Sequence, residues 1–169
     1  GDGVSMSLAY LDLDRFKLIN DLFGHLAGDE VLKQVCERVR NMLTEGQSMG
    51  RVGGDEFVIV FKGTPIDSAA WVCRGIVDRI GNLPYQIGDR AFQVKGSIGL
   101  MEISESIRVK DAISVADRAC REAKSGNHGN PVIYDRHSPV FREREDELRL
   151  IARFGTNVAP EGLFQVMQP

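Results

Sequence analysis

The stretch "GRVGGDEFVIV", Gly50–Val60, sets two glycines and two adjacent carboxylates between two strand-like runs. Its reading decides the fold. A tight hairpin asks for Gly or Asn in its turn, and nothing in turn chemistry calls for a carboxylate pair beside it. Asp55 and Glu56 are therefore either solvated turn residues or half of a metal site.

Upstream, "SLAYLDLD" (Ser7–Asp14) is short, apolar and ends in carboxylates, the pattern of a buried strand. "KLINDLFG" follows as a short helical turn that stops at Gly24. Asp29 is expected to cap a longer helix, with Leu32, Val35, Cys36, Val39 and Leu43 at helical spacing and an end near Gly46. Two strands, around Met49–Val52 and Glu56–Phe61, flank the glycine turn. Pro65 and Asp67 open a third helix with Val72, Cys73, Ile76, Ile80 and Leu83 as its stripe. Ala91–Ile103 reads as one strand, broken or bulged at Gly96 or Gly99. Val109–Lys124 is helical, and Ala112, Ala116, Ala119, Cys120 and Ala123 give it a small-residue face suited to close packing. Val132–Asp135 makes a last short strand. This order predicts an α/β (α+β) fold, a mixed, mostly antiparallel sheet flanked by helices, with the acids at strand ends.

After Asp135 the composition shifts. Residues 1–137 form the expected compact domain. "REREDELRL" (Arg142–Leu150) is a charged helix in a connector over 138–161, and "GLFQVMQP" (Gly162–Pro169) begins a new strand, so the chain is expected to be part of a longer protein.

With 169 residues, 43% of them hydrophobic and 27% charged, the chain suits one globular domain with a real core. A net charge of −3 offers no broad face for nucleic acid. There is no apolar run of spanning length and no signal pattern, so the chain reads as cytoplasmic, without membrane contact. Cys36, Cys73 and Cys120 are odd in number with no CxxC pair, and read as reduced core residues.

Asp12 and Asp14, two apart on a strand, share a face. Together with Asp55 and Glu56 they would make the oxygen-rich cluster that hard cations take, usually one or two carboxylates plus substrate phosphates. The chain has neither G-x-x-x-x-G-K-[ST] nor G-x-G-x-x-G. Phosphate contact falls to the turn Arg15–Lys17 entering the first helix. Lys124 is a second candidate, although a cation on a helix C-terminal dipole explains it equally well.

"DLDRFKLINDLFGHLAGDEVL", then "RVGGDEF", then "GSIGL", then "ADRACREAK" together resemble the GGDEF family of diguanylate cyclases, over roughly Leu8 to Asp135. The resemblance implies a nucleotidyl-cyclase fold similar to the polymerase palm. It also implies condensation of two GTP into cyclic di-GMP with release of pyrophosphate. Carried over by position, Asp12 and Asp55 are metal ligands with the Leu13 carbonyl, for Mg²⁺ or alternatively Mn²⁺. Glu56 is a further metal contact or helps activate the attacking hydroxyl. Asn20 and Asp29 read guanine, a carboxylate and an amide suiting its N1–H, N2–H and O6 edge. The Phe16 and Lys17 backbone and Lys124 contact phosphate, and Gly53 and Gly54 let backbone approach the nucleotide. Activity then needs a homodimer, since one half-site cannot position two GTP molecules.

Two positions depart from the family. Thr44 and Gln47 stand at the ends of the inhibitory R-x-x-D motif, so no inhibitory product site is expected. His128 stands where an arginine usually contacts phosphate, and it lacks the guanidinium fork. "LFQVMQP" resembles the opening strand of an EAL phosphodiesterase domain, implying a GGDEF–EAL tandem behind an unseen N-terminal sensory region. The leading reading is an Mg²⁺-dependent cyclase. The alternative is a catalytically weak GTP-binding module that regulates an attached EAL domain.

Overall fold

The computed structural model describes residues 5–104, 107–126, 129–134 and 165–167. Its centre is the strand Met6–Leu13 (β1), paired antiparallel on one edge with Glu56–Lys62 and on the other with Gly96–Ile103. β1 is covered on both faces, so its sequence is nearly continuously apolar rather than alternating. Ala9, Leu11 and Leu13 face one core layer, while Leu8 and Tyr10 face the other.

Helix α1 (Phe16–Phe23) follows at once, and Gly24 ends it with a φ of 91° that L side chains rarely adopt. Helix α2 (His25–Arg40) starts on the next residue, with Gly24 at its N-cap, five residues earlier than expected. Asp29 therefore lies inside α2 and does not cap it. α2 also ends at Arg40, well before Gly46, because Asn41 to Leu43 close in tighter turns. β2 (Gln47–Arg51) and β3 (Glu56–Lys62) form the predicted hairpin, and Pro65 precedes α3 (Ile66–Gly81) as predicted.

Beyond α3 the sequence reading needs correction. Leu83 lies past the end of the helix and is 59% exposed, so it is no part of the stripe. The single strand Ala91–Ile103 is two strands. β4 (Tyr85–Ile87) and β5 (Arg90–Phe92) make a separate hairpin, and β6 (Gly96–Ile103) runs unbroken through Gly99. Arg38 explains why the chain turns there. Its guanidinium donates to the carbonyls of Ile80 (3.2 Å), Leu83 (2.7 Å) and Pro84 (2.8 Å) and lies 3.6 Å over the Tyr85 ring. It thus satisfies carbonyls that the end of α3 leaves without helical partners.

Helix α4 (Val109–Gly126) leads to β7 (Val132–Tyr134), which pairs parallel with β6. β8 (Gln165–Met167) pairs with β2, giving the order β7-β6-β1-β3-β2-β8, antiparallel except at β6–β7. The predicted mixed, mostly antiparallel sheet flanked by helices is the observed one. The expected helix Arg142–Leu150 lies outside the described residues. No helix among the described residues is long and apolar enough to cross a membrane. The three cysteines are free, Cys73 and Cys120 buried and Cys36 half-buried.

α2 and α3 cover one face of the sheet and α4 the other. The small-residue face of α4 presses on Gly99. A Cβ there would stand 2.2 Å from the Cys120 nitrogen and 2.3 Å from the Ala116 carbonyl oxygen, both backbone atoms that cannot swing aside. Gly99→Ala is therefore expected to destabilise the domain by at least about 1–3 kcal/mol, the usual cost of overpacking. Urea denaturation beside Gly126→Ala, whose added Cβ meets nothing within 4 Å, checks this; equal midpoints would refute it.

Candidate active site

The register of β1 brings the acids together. Asp12 lies opposite Glu56 on β3 and opposite Ser97 on β6. Residues so opposed in an antiparallel pair sit about 5 Å apart at Cβ, where two like charges repel. Asp55 precedes β3 in the turn, and its carbonyl accepts the Leu13 N–H at 3.2 Å. The ends of β1 and of the signature hairpin are thus tied by backbone as well as by sheet pairing.

A cation answers the repulsion. Lys124, in the last turn of α4, places its Nζ 2.9 Å from Asp12 and 3.5 Å from Asp14. Burial pushes the Asp12 carboxyl up to about 6, although the hydrogen bond and charge of Lys124 pull it down. Burial in turn lowers Lys124, but its contact with Asp12 outweighs this and the ammonium is raised. Asp14 belongs to the turn after β1 rather than to the strand, and accepts from Ser97 Oγ at 2.9 and 3.2 Å. Its role is to anchor β6 and Lys124.

Among the described residues no three His, Cys, Asp or Glu side chains are gathered as a ready-made metal cage. The donor set suits Mg²⁺ nonetheless, because that ion keeps waters and takes one or two carboxylates together with substrate phosphates. A half-buried carboxylate already neutralised by an ammonium is a position where positive charge is favoured.

Phe16 is buried and starts α1, while Lys17 is exposed beside it. Arg15, just before them, has a φ of 57°, the one positive value for a non-glycine among the described residues. Asn20 is half-buried on α1 and Asp29 is exposed on α2. Gly28 allows the two helices to meet at Asn20, since a Cβ there would fall 1.8 Å from its Oδ1. Gly54 is exposed at the hairpin tip with nothing within 4 Å of an added Cβ. His128 lies outside the described residues. At the other end of β2, Gln47 Oε1 accepts the Thr44 N–H and the Gln47 N–H donates to the Thr44 carbonyl, both at 3.0 Å, so this turn closes on itself.

Four contributors were missed by sequence reasoning. Arg51 donates from Nε to Gly53 O at 2.9 Å and from Nη2 to Gly54 O at 2.7 Å, clamping the hairpin tip. Its place just before "VGG" was the available signal. Ser97 on Asp14, Gly28 under Asn20 and Tyr10 diagonal to Glu56 across the β1–β3 ladder depend on pairing and packing that no local pattern announces.

The family model for the diguanylate cyclase GGDEF domain matches residues 2–130. The chain belongs to the GGDEF family. The GGDEF domain is 35% identical over 121 residues to the diguanylate cyclase DgcS of Shewanella oneidensis, covering 72% of this chain and 40% of that one. It is 33% identical over 144 residues to the cyclic di-GMP phosphodiesterase PdeR of Escherichia coli, covering 85% of this chain and 21% of that one. Among solved structures, an EAL/GGDEF domain protein from M. capsulatus superposes with a TM-score of 0.71 at 32% identity, over 82% of this chain and 88% of that one. The chain spans less than half the length of these curated relatives.

Two outcomes follow from the geometry. Lys124→Met removes the charge that favours the Asp12 carboxylate, so in metal-free protein the Asp12 carboxyl should titrate still higher than about 6, as read by carboxyl ¹³C shifts. An unchanged or lower midpoint would contradict the contact. Gly28→Ala should displace the Asn20 amide, a flexible side-chain end, at a stability cost of no more than about 1–2 kcal/mol. Movement of the Asn20 side-chain NH₂ resonances is the check.

Proposed function

We propose that this GGDEF domain is a diguanylate cyclase. Two GTP molecules, one on each protomer of a homodimer, condense to cyclic di-GMP. Each 3′-hydroxyl attacks the α-phosphorus of the other nucleotide, two phosphodiester bonds form, and two pyrophosphates leave. The observation that carries this reading is the intact acid pair of the signature, with Glu56 directly across from Asp12 and Lys124 closing on Asp12 at 2.9 Å.

GGDEF cyclases in general depend on a divalent metal. Asp12, Asp55 and the Leu13 carbonyl would hold Mg²⁺, with Glu56 at its edge; bound there, the ion would polarise the α-phosphate and ease loss of pyrophosphate. The chain's own groups do the rest. Backbone N–H groups of Phe16 and Lys17 at the start of α1 face phosphate, favoured by the helix dipole. Asp29 accepts from the guanine donors and Asn20 pairs with the same edge. Glu56 takes up the proton of the attacking hydroxyl, and Lys124 turns from Asp12 to phosphate when nucleotide and metal arrive. Residues 138–161 serve as a linker and 162–169 as the start of an EAL domain, a reading favoured by likeness to an EAL/GGDEF protein, although Gln165–Met167 here pair with β2 at the edge of this sheet. Residues 44–47 read Thr-Glu-Gly-Gln, with no arginine at the position the family uses to bind product, so product inhibition there is not expected.

A second reading, a GTP-binding regulator of an attached phosphodiesterase, is favoured by the comparable likeness to PdeR and by His128. One assay separates the two. This chain, fused to a dimerising coiled coil and given GTP and Mg²⁺, is expected to make cyclic di-GMP, and Asp55→Ala to lower the rate at least about 100-fold. Tight Mg²⁺–GTP binding by the dimer without product would select the regulatory reading.

A further inference from the structure

Helix α1 leaves most of its apolar side uncovered. Phe16 is its one buried residue, while Leu18, Leu22 and Phe23 are exposed, Leu22 at 64%. These three side chains floor a cavity of about 1080 Å³ between α1 and β5. Single leucines on a surface need no explanation, but contiguous apolar side chains walling a cavity of this size mark a binding site.

The cavity is polarised. At the C-terminal end of α1 the Phe23 ring meets Phe92 edge-on at 4.9 Å, and the Arg90 guanidinium lies 5.1 Å over Phe23. At the N-terminal end stand Arg15 and Lys95, and the Lys95 carbonyl accepts the Asp14 N–H at 2.8 Å. At about 1.5 Å per residue along the helix, the two ends lie roughly 10 Å apart. Lys124 also reaches the cavity, but its ammonium is committed to Asp12 and Asp14. Arg15, Arg90 and Lys95 are exposed and have no carboxylate partner among the described residues.

The rim therefore favours an anion and the floor a flat apolar body. Aromatic rings and guanidinium planes are the surfaces on which nucleic-acid bases stack. Leu18 and Leu22 form an open shelf, which covers the face of a ring and leaves most of an acyl chain in water. The cavity is also separate from the face that carries Asn20. That residue is two positions from both Leu18 and Leu22, about 200° round the helix, and its side chain meets Gly28 of α2 instead.

We propose that this cavity is a second nucleotide site. It takes a nucleoside phosphate with the base on Phe23 and Arg90 and the phosphates between Arg15 and Lys95. Neither a guanine edge nor a metal is required, and the inference does not rest on the cyclase reading.

ATP in EDTA is the probe, because adenine presents the wrong edge to Asn20 and Asp29. Titrated into the methyl-labelled chain, ATP should shift the Leu18 and Leu22 methyl resonances with a Kd below about 1 mM. Leu22→Asp and Arg90→Glu, both at exposed positions, should each weaken binding at least about tenfold, the scale of a lost stacking contact. Asp29→Ala should leave it within about twofold, as for an independent site. Unaltered thermal melts establish that the variants fold. Inorganic tripolyphosphate should bind at least about tenfold more weakly than ATP, since it has no ring to stack. The proposal is overturned if ATP causes no shift in that range or if tripolyphosphate binds as well. It fails too if Asp29→Ala abolishes binding while Leu22→Asp and Arg90→Glu retain it, which would place ATP on the α2 side of α1.

Discussion

The double pairing of β1 is the constraint on which the rest depends. One strand is hydrogen-bonded to β3 on one side and β6 on the other, so a single register sets Asp12 against both Glu56 and Ser97. A slip of one residue would turn every side chain of β1 to the opposite face, moving Asp12 into the layer filled by α2 and α3. The apolar side chains on both faces of β1, most of them fully buried, penalise such a slip heavily. Core packing and site geometry are the same arrangement seen from two ends of the strand.

That arrangement carries an electrostatic cost. Two acids opposed across a ladder repel, and burial raises Asp12 further. The fold meets the cost with neutral or cationic partners from separate elements: Lys124 from α4 on Asp12 and Ser97 from β6 on Asp14. Each partner arrives on a rigid helix or strand, the placement that keeps such groups at fixed distances. The resulting site suits a ligand that brings its own counter-charge, and a metal with a nucleotide triphosphate does so.

The hairpin tip and the α1–α2 junction follow a second rule, close approach of backbone. Gly53 lets the Glu56 carboxylate lie against the chain, and Gly28 lets Asn20 fit between two helices. Arg51 fixes the tip by holding two of its carbonyls.

Much of this was legible in the amino-acid sequence. Apolar runs, glycine stops and the spacing of small residues on α4 are local signals, since the chain's own period decides them. They yielded β1, β2, β3, α1, α3, α4 and β7, and the four motifs identified the family. The rest was not local. β4 and β5 lack the apolar run that marks β7, and they exist because Arg38 and Tyr85 fasten the end of α3. Asp29 looked like a cap because capping residues and residues that simply occur in a helix are the same types; Gly24 had already begun α2. Which acid meets which, and which hydroxyl or ammonium answers it, was decided only by tertiary structure. Sheet register and helix docking join residues as far apart as Asp12 and Lys124, and sequence proximity has no bearing on that contact.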